Sequence, residues 1–254
     1  MTEERLILIV NDDGVTAPGI CALVEAMMPL GKVVVVAPDK PQSGMGHAIT
    51  INSILTVKKT NINGVDAYAV SGTPVDCVKL AFDKVLPRKP DLVVSGINHG
   101  SNSSINVIYS GTMSAALEGA IEGVASIGFS LLDHSIDADF EASKNIAHKI
   151  AKNVLDNPSL GSICLNVNIP VGTQSTINGI KICRQANAYW KEEFDERKDP
   201  NGNTYYWLTG KFVNLDEGTD TDVWALDNNY VSVVPVHYDV TDYKQFDNLK
   251  NLFG

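Results

Sequence analysis

Cysteine is scarce in this chain and badly spaced for chemistry. Cys21, Cys77, Cys164 and Cys183 are the only four among 254 residues, with no C-x-x-C pair and no close Cys/His grouping. That leaves structural zinc and redox dithiols without support. Free, buried thiols in a reducing cytoplasm are the expectation instead. Long apolar runs are missing too, and none is long enough to cross a bilayer. The opening Met1-Thr2-Glu3-Glu4-Arg5 leads straight toward an apolar strand and has neither the basic region nor the cleavage site of a secretion signal. Positive charge is in deficit, with 20 Lys and Arg against 30 Asp and Glu and a net charge of -10. So acidic a chain repels polyanions, which argues against long nucleic acid and anionic membranes as partners. A small phosphate ester stays open, because a metal or a helix N-terminus supplies positive potential locally. No G-x-x-x-x-G-K-[ST] string occurs, which excludes a P-loop. Gly44-Met45-Gly46 is not a dinucleotide fingerprint, since Ile49 stands where the third glycine belongs and the wrong strand precedes it.

What is present begins with Leu6-Ile7-Leu8-Ile9-Val10-Asn11-Asp12-Asp13-Gly14. The apolar run reads as a strand buried on both faces, as in parallel sheets. It ends in two adjacent carboxylates, at the strand end where open α/β sheets bind ligands. Asp12 and Asp13 converge only if the chain leaves the strand, which Gly14 permits. Paired carboxylates there suit Mg2+ or Mn2+. They equally suit a plainer arrangement, one acid capping the next helix and the other solvated.

Strand and helix patterns then alternate. Helix is predicted over Ala17–Met28, with Thr16 as N-cap and Pro18 in the first turn. The β-branched run within Lys32–Ala37 predicts a second strand. Pro38–His47 is a polar loop, Ile49–Val57 is extended, and Asp66–Val70 is a strand after the Asn61–Gly64 turn. Thr73, Pro74 and Asp76 open a helix to about Val85, by N-cap, first-position proline and first-turn acid. Strands are predicted at Asp91–Ile97, Ala125–Leu131 and Ile163–Val167, and helices at Met113–Gly123 and Phe140–Leu155. The rhythm implies a Rossmann-like, three-layer α/β core with a largely parallel sheet, over residues 1–183. Residues 184–254 form a second segment. In it Tyr189–Val213 is a hairpin about Asp199-Pro200-Asn201-Gly202, Tyr230–Val236 a returning strand, and Asp242–Phe253 an amphipathic terminal helix. The hairpin either reaches over another subunit or packs on its own domain.

Three further loops leave strand ends on the same rim: Ala37–His47, Ser95–Gly100 and Tyr109–Thr112. Ser43 and Asn98 add neutral oxygens to the two carboxylates, a donor mix favouring Mg2+, Mn2+ or Ca2+ over zinc. Each is also at home as an ordinary turn residue. Ser110-Gly111-Thr112 offers hydroxyls and free N–H groups at a helix start, a ready anion site that doubles as an N-cap. His47 and His99 lie on the rim without an assigned role, and His134, His148 and His237 have no motif context.

Five ordered strings resemble one family. They are Ile9–Ile20; Val36-Ala37-Pro38-Asp39 with Gln42-Ser43-Gly44; Gly72–Val78; Pro90–Asn98; and Val107–Thr112. Together they are similar to the SurE family, stationary-phase survival proteins that are metal-dependent nucleoside monophosphate phosphatases. Order and spacing match through about residue 130, and Tyr230–Pro235 resembles the family's last strand. The resemblance implies a divalent metal held by Asp12, Asp13, Ser43 and Asn98, with Asp12 and Asp13 catalytic. It implies phosphate contacts from Ser110, Gly111 and Thr112 with Asn102 nearby. It also implies hydrolysis of 5'- and 3'-nucleotides, sometimes of short polyphosphate, by a homodimer or homotetramer. Two rivals remain at this point: attack by an aspartate to form an aspartyl phosphate, and a nucleotide-binding module without turnover.

Overall fold

The computed structural model describes residues 4–135 and 137–253. Met1 to Glu3, part of the segment read as lacking a leader, lie outside them. Eleven strands are described: β1 (Leu6–Val10), β2 (Lys32–Pro38), β3 (Val57–Ile62), β4 (Val65–Val70), β5 (Leu92–His99), β6 (Ser126–Leu131), β7 (Cys164–Ile169), β8 (Ile180–Ile182), β9 (Ala188–Lys198), β10 (Thr204–Asn214) and β11 (Val231–Val236). The helices are α1 (Pro18–Met27), α2 (Pro74–Leu80), α3 (Gly111–Ile121), α4 (Glu141–Leu155), α5 (Asp222–Asp227) and α6 (Tyr243–Phe253).

Nine strands form one sheet in the order β3-β4-β2-β1-β5-β6-β7-β11-β8. The run from β4 to β7 is parallel, as the alternating pattern predicts. β3 is antiparallel to β4, and β11 to β7. The two-residue period of β1 divides its side chains between layers. Ile7 and Ile9 join the core beneath α1 and α4, while Leu6, Leu8 and Val10 join the core beneath α2. All five are buried, which is why the run carries no polar alternation. From β1 the chain winds outward to β2, then returns to place β5 on the other side. The switch point is therefore at the carboxyl ends of β1 and β5, where such sheets open a crevice.

Local predictions meet the structure closely at α2. Thr73 accepts from the Asp76 N–H and Asp76 accepts in return from the Thr73 N–H, a full capping box with Pro74 in the first turn. The helix then continues through a π turn over Ala81–Val85. At α1 the N-cap is Ala17 rather than Thr16, with no side-chain cap bond. Much of Ile49–Val57 lacks regular structure, and the extended pairing there falls to β3 instead. β8 and α5 carried no sequence signal. The returning strand β11 lies inside the main sheet, between β7 and β8. The hairpin of β9 and β10 forms its own two-stranded ribbon, and its residues from Tyr189 to Gly210 are exposed but for Pro200's neighbour Asp199. Among the described residues, no helix is long and apolar enough to cross a membrane.

Candidate active site

The crevice begins where β1 stops. Asn11 is buried and closes the turn with both ends of its amide: Nδ2 donates to the Gly14 carbonyl (2.8 Å) and Oδ1 accepts from the Gly14 N–H (3.2 Å). Gly14 sits at φ +98°, a conformation costly for any residue with a Cβ. This turn carries Asp12 and Asp13 out of strand alternation. Sequence reading missed Asn11, although an Asn three residues before a glycine is a turn signal.

Asp12 is only 4% exposed. The Thr112 hydroxyl donates to its Oδ1, and helix α3 starts directly against the carboxylate. A Cβ on Gly111 would lie 2.7 Å from Asp12 Cβ and 2.9 Å from Oδ2, so only glycine allows that approach. Burial pushes the Asp12 carboxyl up to about 6; the Thr112 hydrogen bond opposes the rise and the Asp13 charge adds to it. Asp13 is also raised by burial, with the His99 ring and its backbone N–H opposing. Asp13 Oδ2 is buried and has no hydrogen-bond partner among the described residues. A buried carboxylate oxygen left without a donor is costly, and a cation is the partner that would satisfy it.

The other two predicted oxygen donors flank this pair. The Gln42 N–H donates to the Asp12 carbonyl (2.7 Å), which brings exposed Ser43 to the crevice on the following residue. Asn98 stands near the end of β5, beside His99. Its Nδ2 donates to the His99 and Gly100 carbonyls (3.2 and 2.8 Å), leaving Oδ1 as the acceptor. Two carboxylates, a hydroxyl and an amide oxygen are donor types that suit a hard cation.

The side chains expected on the anion side all have partners within the chain. Ser110 Oγ accepts from the Met113 N–H and caps α3. The Thr112 side chain is fully buried and its hydroxyl donates to Asp12, where it orients the carboxylate. Asn102 is committed elsewhere. Its N–H donates to Asn168 Oδ1 (2.7 Å), its Nδ2 to Ser130 Oγ (2.8 Å), and its carbonyl accepts from Asn166 Nδ2 (2.8 Å). These bonds fasten the loop after β5 to β6 and β7 and commit one of the two N–H groups of the Asn102 amide to Ser130.

Two further residues secure the Ser43 loop. Glu118, 2% exposed on α3, binds His47 Nε2 (2.8 Å) and the Lys79 ammonium. Burial pushes its carboxyl up, but the bonds from His47 and Lys79 outweigh this and hold it below its usual value. The Gly46 N–H also donates to the Tyr109 carbonyl (3.2 Å). His47 is thus a tether for the loop. The available signal was Glu118 itself, a lone acid in the small-residue helix α3.

Comparison with known proteins agrees with this architecture. The model of the family described as Survival protein SurE matches residues 7–192. The chain is 60% identical to "5'-nucleotidase SurE" of Christiangramia forsetii, over 98% of this chain and 97% of that one. It is 59% identical to the protein of the same name from Flavobacterium psychrophilum, over 97% and 96%. Among solved structures, the Sure protein from Aquifex aeolicus superposes with a TM-score of 0.84 at 42% identity, covering 98% of this chain and all of that one. Matched along nearly its whole length in sequence and in fold, the chain belongs to the SurE family.

Proposed function

We propose that this chain is a metal-dependent phosphomonoesterase that hydrolyses nucleoside 5'- and 3'-monophosphates to nucleoside and phosphate, with short polyphosphate as a secondary substrate. The observation that carries the reading is the unpartnered, buried Asp13 Oδ2 beside Asp12 at the switch point. Full-length relatives named 5'-nucleotidase support it. Asp12, Asp13, Ser43 and Asn98 would hold Mg2+ or Mn2+. When bound, the cation polarises the phosphate and lowers the pKa of a water. Asp12 and Asp13 supply the charge that holds it, and one of them takes the proton as water attacks. Thr112 fixes Asp12 by its hydroxyl. The start of α3, with the Ser110 cap and the Gly111 N–H, holds phosphate oxygens as charge shifts in the transition state. Free cysteines throughout fit a cytoplasmic setting, and the exposed hairpin and α6 fit a homodimer or homotetramer.

The test is phosphate release from AMP and 3'-AMP. Activity should vanish in EDTA and return with Mn2+ or Mg2+. Undiminished hydrolysis after thorough chelation would sink the metal mechanism, and no release from any nucleotide would favour a binding module. Thr112→Val should raise the barrier by about 1–3 kcal/mol, the scale for losing a buried hydrogen bond to a charged group. Because Thr112 acts through Asp12, the same variant should weaken Mn2+ binding; unchanged kcat/KM and unchanged metal affinity together would remove it from the site.

A further inference from the structure

The segment that leads into α3 is held from a distant part of the chain, and nothing in the metal and phosphate reading accounts for it. Ser103 to Tyr109 form a short helical turn between the loop after β5 and the Ser110 cap. Beyond its own residues this turn is hydrogen-bonded to Ala186, Ala188, Trp190 and Asp222 of the second segment, and to Gly46 of the Ser43 loop. Residues 184–254 therefore hold the approach to a site whose proposed ligands all lie in the first half of the chain.

The centre of this attachment is Asp222, in the first turn of α5. Its carboxylate is completely buried and accepts from three backbone N–H groups. Ser104 donates to Oδ2 (2.7 Å), while Ala186 and Val223 donate to Oδ1 (2.9 and 2.8 Å). A buried carboxylate needs such bonds, and charge-assisted ones are the stronger kind. Ser104 is itself completely buried and stands at φ +52°, a left-handed conformation that residues other than glycine seldom adopt. Its hydroxyl donates to the Ala186 and Ala188 carbonyls (2.9 and 3.3 Å). One serine is thus clasped by the root of β9 and by α5. From Ser104 the turn runs on through Asn106, whose Oδ1 accepts from the Trp190 indole N–H (2.7 Å) and whose carbonyl accepts from the Tyr109 N–H (3.1 Å).

We propose that Asp222 is a positioning residue for the phosphate-binding start of α3, acting through the Ser104 N–H. The inference rests on the reading of that helix start as the phosphate site. Asp222 is not a catalytic residue, because its carboxylate is buried against the three N–H groups. It fixes one end of a turn whose other end is Ser110, and so sets where the N–H groups after Ser110 are presented. Donors placed for a reacting phosphate lose much of their value when shifted by an ångström. The metal end of the same loop is held separately. Asn98 is bonded to the His99 and Gly100 carbonyls, and Asn102 is tied to Ser130, Asn166 and Asn168. Loosening Ser104 therefore disturbs the phosphate and spares the cation.

Asp222→Asn is the variant that tests this. Its carbonyl oxygen can keep the two donors on the Oδ1 side, Ala186 and Val223, which sets the amide NH2 against the Ser104 N–H and breaks that bond alone. Calorimetry of the full-length variant should give a Kd for Mn2+ close to that of wild type. In the Mn2+-loaded protein the Kd for inorganic phosphate should rise roughly tenfold, the scale for losing one hydrogen bond to a charged group. The kcat/KM for AMP should fall by at least as much. A merely structural role would not separate the two ligands. Ser104→Ala, which frees the turn from Ala186 and Ala188 but keeps the N–H, supplies the same comparison if Asp222→Asn does not fold. It should weaken phosphate and leave Mn2+ unaltered. Equal weakening of Mn2+ and phosphate in the folded variant overturns the proposal, and so does a phosphate affinity unchanged from wild type. A wild-type protein that loads Mn2+ and binds no phosphate overturns it as well. Phosphate binding by a wild-type protein that releases none from AMP or 3'-AMP would remove the phosphatase reading, and the phosphate comparison alone would then decide the role of Asp222.

Discussion

Asp12→Asn and Asp13→Asn are each expected to abolish most phosphate release while the protein stays folded. Each change removes a charge that the cation needs and keeps the side-chain size. At Asp12 the Thr112 hydroxyl can still donate to the remaining carbonyl oxygen. The structure adds a stability effect of opposite sign. The Asp12 carboxyl is raised from 3.8 to about 6 by burial, so the folded, metal-free protein binds a proton more readily than the unfolded chain. Its stabilising contribution is full below about pH 4 and is lost as pH rises through about 6. The loss is about 3 kcal/mol at 1.36 kcal/mol per pKa unit. Metal-free wild-type protein should therefore melt lower at pH 7.5 than at pH 5, and Asp12→Asn should flatten that slope. Mn2+ should raise the wild-type Tm at pH 7.5 and leave the variant's unchanged. Near-wild-type turnover at limiting metal by either variant would strike that residue from the ligand set. A metal-free variant that melts below wild type at pH 7.5 would contradict the burial argument.

The second large effect concerns assembly. The hairpin exposes Phe194, Tyr206, Trp207 and Leu208 by 58–67% each, and α6 buries no residue at all against its own chain. Apolar surface on this scale marks contact sites, and aromatic residues are enriched in interface cores. Exchange of an element between identical chains is a frequent solution. The protein is therefore expected to be a homo-oligomer in which the hairpin, α6 or both cover a neighbour. Replacing Trp190–Lys211 by a short Gly-rich turn should shift it toward monomer. Metal binding should persist, because the four proposed ligands come from the first half of the chain. Light scattering that reports a wild-type monomer at micromolar concentration would refute the assembly. An unchanged oligomer after the deletion would leave α6 as the contact.

Legibility from sequence followed the range of the interactions. β1 could be read directly, because a strand buried on both faces must be apolar at every position, and Leu6 to Val10 are. The α2 start was equally plain, since the Thr73–Asp76 capping box spans three residues. The carboxylate pair, Ser43 and Asn98 could be named because they sit at strand ends, and parallel strands bring those ends to one rim. What stayed hidden depended on partners far along the chain. That the Thr112 hydroxyl donates to Asp12, a hundred positions away, shows only in the fold. The bonds that tie Asn102 to Ser130, Asn166 and Asn168 are equally invisible in the sequence. His47 and Glu118, 71 residues apart, become a tether only when α3 packs beside the Ser43 loop. Strand direction was hidden as well: nothing in Val231–Val236 reveals that β11 enters antiparallel beside β7, because ladder bonds are made by the backbone and carry no side-chain signature. Local backbone preference and hydrophobic period thus determined the elements and the rim. Which polar group spends its hydrogen bonds on which partner was decided only by tertiary packing, because burial forces every donor and acceptor to choose among the neighbours the fold supplies.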